Sequence, residues 1–597
     1  MLWGKSIELG HDKEQDDLVY ITPKIRSTHM HILGSTGEGK SKFIEHMIRE
    51  DIKHENGLCL IDPHGYLYQD IVLWCAAKQM FGRKNIILFD AGEDEWSFGF
   101  NPLRMGSAHI SYHVDAMVRA VAKVWGGQDL DRTPLLKRCL RLIFHVLAEK
   151  KLSLLECRYL LDHTHGLVRE YLTRDIQDPN IQPLWDYANS LKPNQFEEQF
   201  SSTINRMLEF LASPIIRNTI GQTEATLNFR KLMDEGGILL VNLAARNRIS
   251  DDNARLLGTL IVNDLFMACR EREEGSRPFY LYIDECARFI NEDIGRILDE
   301  ARKFGLHLIL AHQHLAQLKK AGEDIYHSVM TDAKTKVIFG GLGVEDAELL
   351  TQQVFLGSLD LEEAKHTLDK PTVVRYIRAW MENYSRGRSS SRTETKGTTE
   401  QDGYGEGSNQ SETRRPKDGW FFDDDELVST SSGSSGSRSW SRSESKSEAF
   451  TEGESESWGK SQTLEPILKL LPTSVFSLQE QIYKAMSAMV NQPTQYAIIK
   501  LPKKIPRFVK TPSVKKAFAF EEEIKAFKEN CYHQTEFAKQ RLEVEEGIKY
   551  RMLAIEKAAY LHSQEQAKIA AGKASGARRT RTVEARHAKK DPESFRE

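Results

Sequence analysis

The run Gly34-Ser35-Thr36-Gly37-Glu38-Gly39-Lys40-Ser41 sets four residues between two glycines and follows the second at once with Lys and Ser. This is the P-loop form. Its glycines let backbone N–H groups turn inward around α- and β-phosphates, and a following helix adds its positive N-terminal end. Lys40 is expected to reach the β- and γ-phosphates of ATP, and the Ser41 hydroxyl to hold Mg²⁺. Tyr280-Leu281-Tyr282-Ile283-Asp284-Glu285 is an apolar run ending in two acids, the partner such a loop requires. Asp284 is expected to orient the Mg²⁺ water shell, and Glu285 to polarise the attacking water.

Other residues carry weaker signals. Leu308-Ile309-Leu310-Ala311-His312-Gln313 ends a strand in Gln, where a contact to the γ-phosphate or simple capping of the strand end are both open. Arg302 and Lys303 suit either an arginine finger offered to a neighbouring subunit or an exposed basic helix end. His312 and His314 lack a third ligand at suitable spacing and read as surface or satisfied histidines. Asp62 and His64 stand near the nucleotide edge with no derivable role. The terminal cluster Arg578, Arg579, Arg581, Arg586, Lys589 and Lys590 reads equally as a contact for phosphate backbone or anionic lipid and as a solvated, mobile tail.

The elements that must position these groups follow from the chain's periodicity. Thr28–Leu33 reads as a buried strand and Lys42–Arg49 as a helix, so the glycine turn lies between them. Strands at Gly57–Asp62, Asn85–Asp90, Gly237–Leu243, Phe279–Ile283 and Leu306–Ala311 alternate with helices, which predicts a parallel sheet covered on both faces. Residues 1–106 and 226–383 form the two parts of this α/β core. Between them, 107–225 reads as an all-helical insertion. Residues 384–462 are rich in Ser, Gly, Glu and Arg and read as a disordered loop, with Trp420-Phe421-Phe422 as a small docking site. A folded return spans 463–519, and a charged helical extension with the basic tail spans 520–597.

Composition narrows the class. The 597 residues carry a net charge of only −4, so any polyanion contact is a local patch or pore. Seven scattered cysteines without CxxC pairs argue for a reducing compartment and against structural zinc. No run of eighteen apolar residues occurs, and the chain reads as cytoplasmic, with recruitment to the inner membrane left to a partner.

Taken together, Gly34–Ser41, Ile61-Asp62-Pro63-His64-Gly65, Phe100-Asn101-Pro102-Leu103, Ile283-Asp284-Glu285 and Glu300–Gly305 through Ala311-His312-Gln313 resemble the HerA/FtsK superfamily of P-loop ATPases. Within it the chain is most similar to TraG/TraD-type coupling ATPases of conjugation and type IV secretion. Gly221-Gln222-Thr223, Leu227–Arg230, Asp234–Leu243 and Gly343–Glu348 extend the likeness. The resemblance implies a RecA-like core and a ring, usually of six subunits, threading DNA. It makes Gln313 a sensor and Arg302 a trans-acting finger, with Lys303 the alternative. It also implies a relaxase, nuclease or secretion-machinery partner. Two features depart from the pattern: the membrane helices usual in coupling proteins and the small β-barrel usual in HerA proteins are both missing ahead of this P-loop. Protein export, or an ATP-gated ring that recruits a nuclease or defence effector, are the alternatives to DNA movement.

Overall fold

The computed structural model describes residues 5–588 except 81, 83–84, 107, 127–133, 245–247, 291–297, 299, 356–363, 368–371, 394–398, 416–425, 444–448, 470–471 and 476. The described strands begin with β1 (Ile7–Asp12), β2 (Asp17–Ile21), β3 (Met30–Leu33), β4 (Gly57–Asp62) and β5 (Ile86–Asp90). They continue with β6 (Trp96–Phe98), β7 (Ile238–Asn242), β8 (Phe279–Ile283), β9 (Leu306–His312) and β10 (Thr335–Phe339). Next come β11 (Ala364–Thr367), β12 (Thr372–Thr393), β13 (Thr399–Arg415), β14 (Glu426–Ser443), β15 (Ala449–Lys469) and β16 (Pro472–Val475). The last are β17 (Tyr496–Lys500), β18 (Arg507–Lys510) and β19 (Ala538–Gln540).

Two compact units are present: residues 1–359 with 482–597, and residues 360–481. The first is built on an eleven-stranded sheet in the order β2-β1-β18-β17-β10-β3-β9-β8-β4-β7-β5. From β10 to β5 every neighbour is parallel. These strands are buried along their whole length, as a parallel sheet covered on both faces requires. The predicted α/β core is therefore present, and the strands expected at β3, β4, β5, β7, β8 and β9 all lie in it. The other edge is antiparallel, with β17 pairing β10 and β1 pairing β18. Gly10, at φ +138°, lies so close to Lys510 that an added Cβ would stand 2.2 Å from its carbonyl oxygen. That contact fixes how the first strand meets one of the last.

Between Ile110 and Ile220 the described elements are helices. The long helix Arg541–Ala588 packs against them: Arg551 bonds Glu156 at 2.8 Å, and Tyr159 donates to Glu556 at 2.8 Å. Its backbone is helical through Arg578, Arg579, Arg581 and Arg586. Lys589 and Lys590 lie outside the described residues.

Residues 384–462, read as a disordered loop, fall within the second unit. Its backbone runs as a four-stranded antiparallel sheet in the order β14-β13-β12-β15. Ser437-Arg438-Ser439-Trp440-Ser441-Arg442 and Gly453-Glu454-Ser455-Glu456-Ser457-Trp458 alternate with period two, which is a strand pattern. The proposed docking site Trp420–Phe422 falls outside the described residues.

Candidate active site

The sequence Met30–Leu33 supplies a buried strand, and Lys40–Lys53 a helix whose buried face carries Phe43, Ile44, Met47, Ile48 and Ile52. The turn between them needs left-handed backbone at Gly37 (φ +91°) and Gly39 (φ +109°), which glycine adopts without steric cost. A Cβ at Gly37 would meet nothing within 4 Å, because the turn is exposed to solvent there. The loop is braced from outside the motif. Ser35 donates from its backbone N–H to Gly340 O at 3.2 Å and from its hydroxyl to Gly341 O. Gln495 donates its N–H to Glu38 O at 3.1 Å.

The order β3-β9-β8 brings three strand ends side by side. Ligands bind in such sheets at the carboxyl ends of the strands. From β3 comes Lys40, buried, with Nζ 3.5 Å from Gly34 O and 3.9 Å from Glu285 Oε1. From β8 come Asp284 and Glu285, both buried. From β9 comes Gln313, whose Nε2 donates to Glu285 Oε1 at 2.5 Å. Ser41 is exposed at the first turn of the P-loop helix. Glu285 has φ +48°, a strained conformation for a non-glycine residue, of the kind that persists where surroundings over-determine it.

Burial pushes the Asp284 carboxyl up to about 6. Lys40 opposes that rise, whereas Asp62 and Glu285 add to it. A buried carboxylate with two acidic neighbours is short of positive charge, and a divalent cation beside Ser41 would supply it. The glycine turn at the helix N-terminus, Lys40, the exposed Ser41 hydroxyl and this carboxylate together fit a metal-bound polyphosphate.

Three features escaped the sequence. Gln317, in the helix Leu315–Ala321, donates to Glu285 Oε2 at 3.2 Å and accepts the Gln313 N–H at 3.0 Å. A Gln four residues beyond Gln313, on the helix facing the site, was the available signal. His31 on β3 and His312 on β9 stack with ring centroids 4.8 Å apart and Nε2 atoms 2.6 Å apart. Burial lowers His31 well below its usual range and His312 to about 3, so one neutral ring donates to the other. Lys336 on β10 lies 3.4 Å from His31 and is pushed down to about 7 by burial. Asp62, to which no role could be given, accepts the N–H groups of His64 at 2.9 Å and Tyr68 at 2.8 Å, organising the turn after β4.

Arg302 and Lys303 are not brought to this site. Both are exposed in the turn that precedes β9, at the opposite end of the strand from Gln313. Seven residues of strand put roughly 20 Å between them and the carboxylates. Among the described residues there is no group of three or more His, Cys, Asp or Glu side chains placed to hold a metal ion. No described helix is long and apolar enough to cross a membrane.

Family comparison places the chain. The family described as "Helicase HerA, central domain" matches residues 7–264, and "TraM recognition site of TraD and TraG" matches residues 278–416. Among solved structures, the chain is similar to the bacterial conjugative coupling protein TrwBdeltaN70 in an unbound form, at 13% identity over 84% of this chain and 88% of that one, with TM-score 0.45. The plasmid coupling protein TrwB in complex with ADP and Mg²⁺ gives 13% identity, 84% and 89% coverage and TM-score 0.44. VirB4 of Thermoanaerobacter pseudethanolicus gives 15% identity, 58% and 87% coverage and TM-score 0.40. Curated protein sequences give no match.

Proposed function

We infer that the chain is a HerA/FtsK-type ATPase of the TraG/TraD kind, a ring-forming, Mg²⁺-dependent motor that moves DNA for conjugative or mobile-element transfer. The observation that carries this reading is the meeting of three adjacent strand ends at Glu285 Oε1, where Lys40 lies at ion-pair distance and Gln313 donates a hydrogen bond. A hydrolytic site needs those parts within one hydrogen-bond network.

The roles follow from position. The backbone N–H groups of Gly34–Ser41 hold the phosphates, and Lys40 neutralises their growing charge. Ser41 and Asp284 would hold Mg²⁺, which would supply electrostatic stabilisation of the transferring phosphoryl group. Glu285 takes a proton from the attacking water. Gln313, bonded to Glu285, reports the state of the γ-phosphate to that carboxylate. Arg302, exposed and distant from its own site, acts on the neighbouring subunit's nucleotide, with Lys303 as the substitute. DNA contacts are to phosphate backbone, so binding weakens with salt and is indifferent to sequence. The second family match makes a TraM-like relaxosome protein the expected partner.

Steady-state ATP turnover, with and without single- and double-stranded DNA over a salt series, tests the reading beside Lys40→Ala. Salt-sensitive stimulation by DNA, abolished in Lys40→Ala, is expected. Brisk turnover indifferent to DNA would transfer the reading to protein export, and nucleotide binding without steady turnover would transfer it to a ring scaffold.

A further inference from the structure

The four-stranded sheet of the second unit ends in two long edges. Among the described residues no strand pairs with the outer side of β14 or of β15. Edges of 18 and 21 residues are templates for pairing with another chain unless they are covered or closed. A sheet of four strands is too narrow to close on itself, because small barrels already need about eight. Both edges therefore require something outside this unit.

The sequence says what. Inside the bulges at Val373/Arg375 and Thr413/Arg414, each observed register pairs even with even and odd with odd, so even-numbered positions there share one face of all four strands. Odd positions over most of the sheet are Ser, Gly and Thr; the even ones carry the charge. In the half nearest residues 394–398 and 444–448, the sign alternates strand by strand. Edge strand β14 is basic (Arg438, Arg442), and its neighbour β13 is acidic (Glu400, Asp402). Next, β12 is basic (Arg386, Arg388), and edge strand β15 is acidic (Glu452, Glu454, Glu456). Opposite signs fall in register at Arg386–Glu456, Arg388–Glu454 and Glu400–Arg442. The basic edge of one sheet thus continues the pattern set by the acidic edge of another. Direction agrees as well: β14 and β15 run oppositely, so copies related by rotation about an axis along the strands meet antiparallel.

We propose that these four strands are one segment of a β-barrel closed by copies of this chain, β14 of each copy pairing with β15 of the next. This rests on the ring reading above. Matching Arg442 to Glu452 and Arg438 to Glu456 sets Ser439 of one copy opposite Ser455 of its neighbour. Within one copy the register runs straight across from Ser439 to Gly403, Ser391 and Thr451. Closure therefore advances four residues for every four strands, about 13 Å along the strands for about 19 Å across them. That corresponds to a tilt of about 35°, at the lower bound of the range in which closed barrels are found. Charge pairing and barrel closure thus select the same register. Six copies would give a barrel of about 24 strands, wide enough for an aqueous lumen.

The test is disulfide trapping in the full chain, whose seven native cysteines are all buried. Ser439→Cys protein is mixed with Ser455→Cys protein under ATP and Mg²⁺, oxidised, and run on a non-reducing gel. The expected result is a cross-linked dimer at least fivefold more abundant than in a mixture of Ser439→Cys with Thr451→Cys. The double variant Ser439→Cys/Ser455→Cys should give a ladder of multimers. A double variant that closes only within single chains overturns the barrel, because β14 then pairs with its own β15. Native mass measurement of the same samples separates the two readings. Rings without the 439–455 cross-link overturn the barrel alone, whereas absence of any oligomer overturns the ring and the barrel with it.

Discussion

Replacing Arg26 with Leu is expected to cost the first unit about 3 kcal/mol. Arg26 lies just before β3, and its guanidinium is 2% exposed. It donates to Asp51 Oδ1 at 2.6 Å and Oδ2 at 2.7 Å, and to Tyr282 at 2.9 Å, with its plane 3.5 Å from the Tyr280 ring centre. One buried pair thus ties the segment before β3, the P-loop helix and the acidic strand β8. Removing one member of such a pair typically costs about 3–5 kcal/mol, because the other charge stays buried. Asp51 keeps Tyr282 and Asn56 as donors, at 2.5 and 2.8 Å, which favours the lower figure. Changing Asp51 to Asn in the Arg26→Leu background removes the stranded charge and should recover about half of the loss. Melting followed by circular dichroism reads this out. For a unit of about 475 residues the unfolding entropy is near 1 kcal/mol/K, so Tm should fall by about 3 °C. A fall below about 1 °C, or a double variant less stable than the single one, would refute the reasoning.

Three further outcomes are expected. Glu285→Gln should keep ATP affinity within about threefold while lowering kcat at least 100-fold, the usual scale for a lost general base; unchanged kcat in a single-turnover assay would reassign the base. Gln317→Ala should lower kcat about 10-fold with KM for ATP nearly constant, since Gln317 bonds Glu285 and not the P-loop; a KM effect of the same size would instead place it on the nucleotide. Acidification should destabilise the fold through His307, whose buried ring is pushed down to about 3. The unfolded chain binds that proton near pH 6.5, so this contribution is full above 6.5 and is lost as pH falls towards 3. His307→Phe should therefore lose less Tm than the parent between pH 7.5 and 5, and an equal loss would remove His307 from the account.

Legibility in the sequence followed locality. The P-loop and Asp284-Glu285 could be read because each needs only its own strand end, and the sheet order then brought them together. Gln317 could not be, because its contact with Glu285 depends on how the turn after β9 folds back. The His31–His312 pair was hidden for another reason: a histidine inside a strand gives no sign of which neighbouring strand it will face. The antiparallel edge was equally remote, since β1 pairs with residues some 500 positions away.

That remote edge sets a timetable for synthesis. Strands β1 and β2 leave the ribosome first, yet their partner β18 ends at Lys510. At 5–20 residues per second, the hairpin waits roughly 25–100 s for its neighbour. Strand β10 has the same problem on a shorter scale, its free side unpaired until β17 emerges beyond the whole second unit. The nascent chain therefore presents two open sheet edges at once, one at its beginning and one at the border of the P-loop sheet. Such edges attract wrong strands. Expression should consequently depend on holding chaperones, and truncation before Arg507 should leave an aggregating product even though every nucleotide-site residue has already been made.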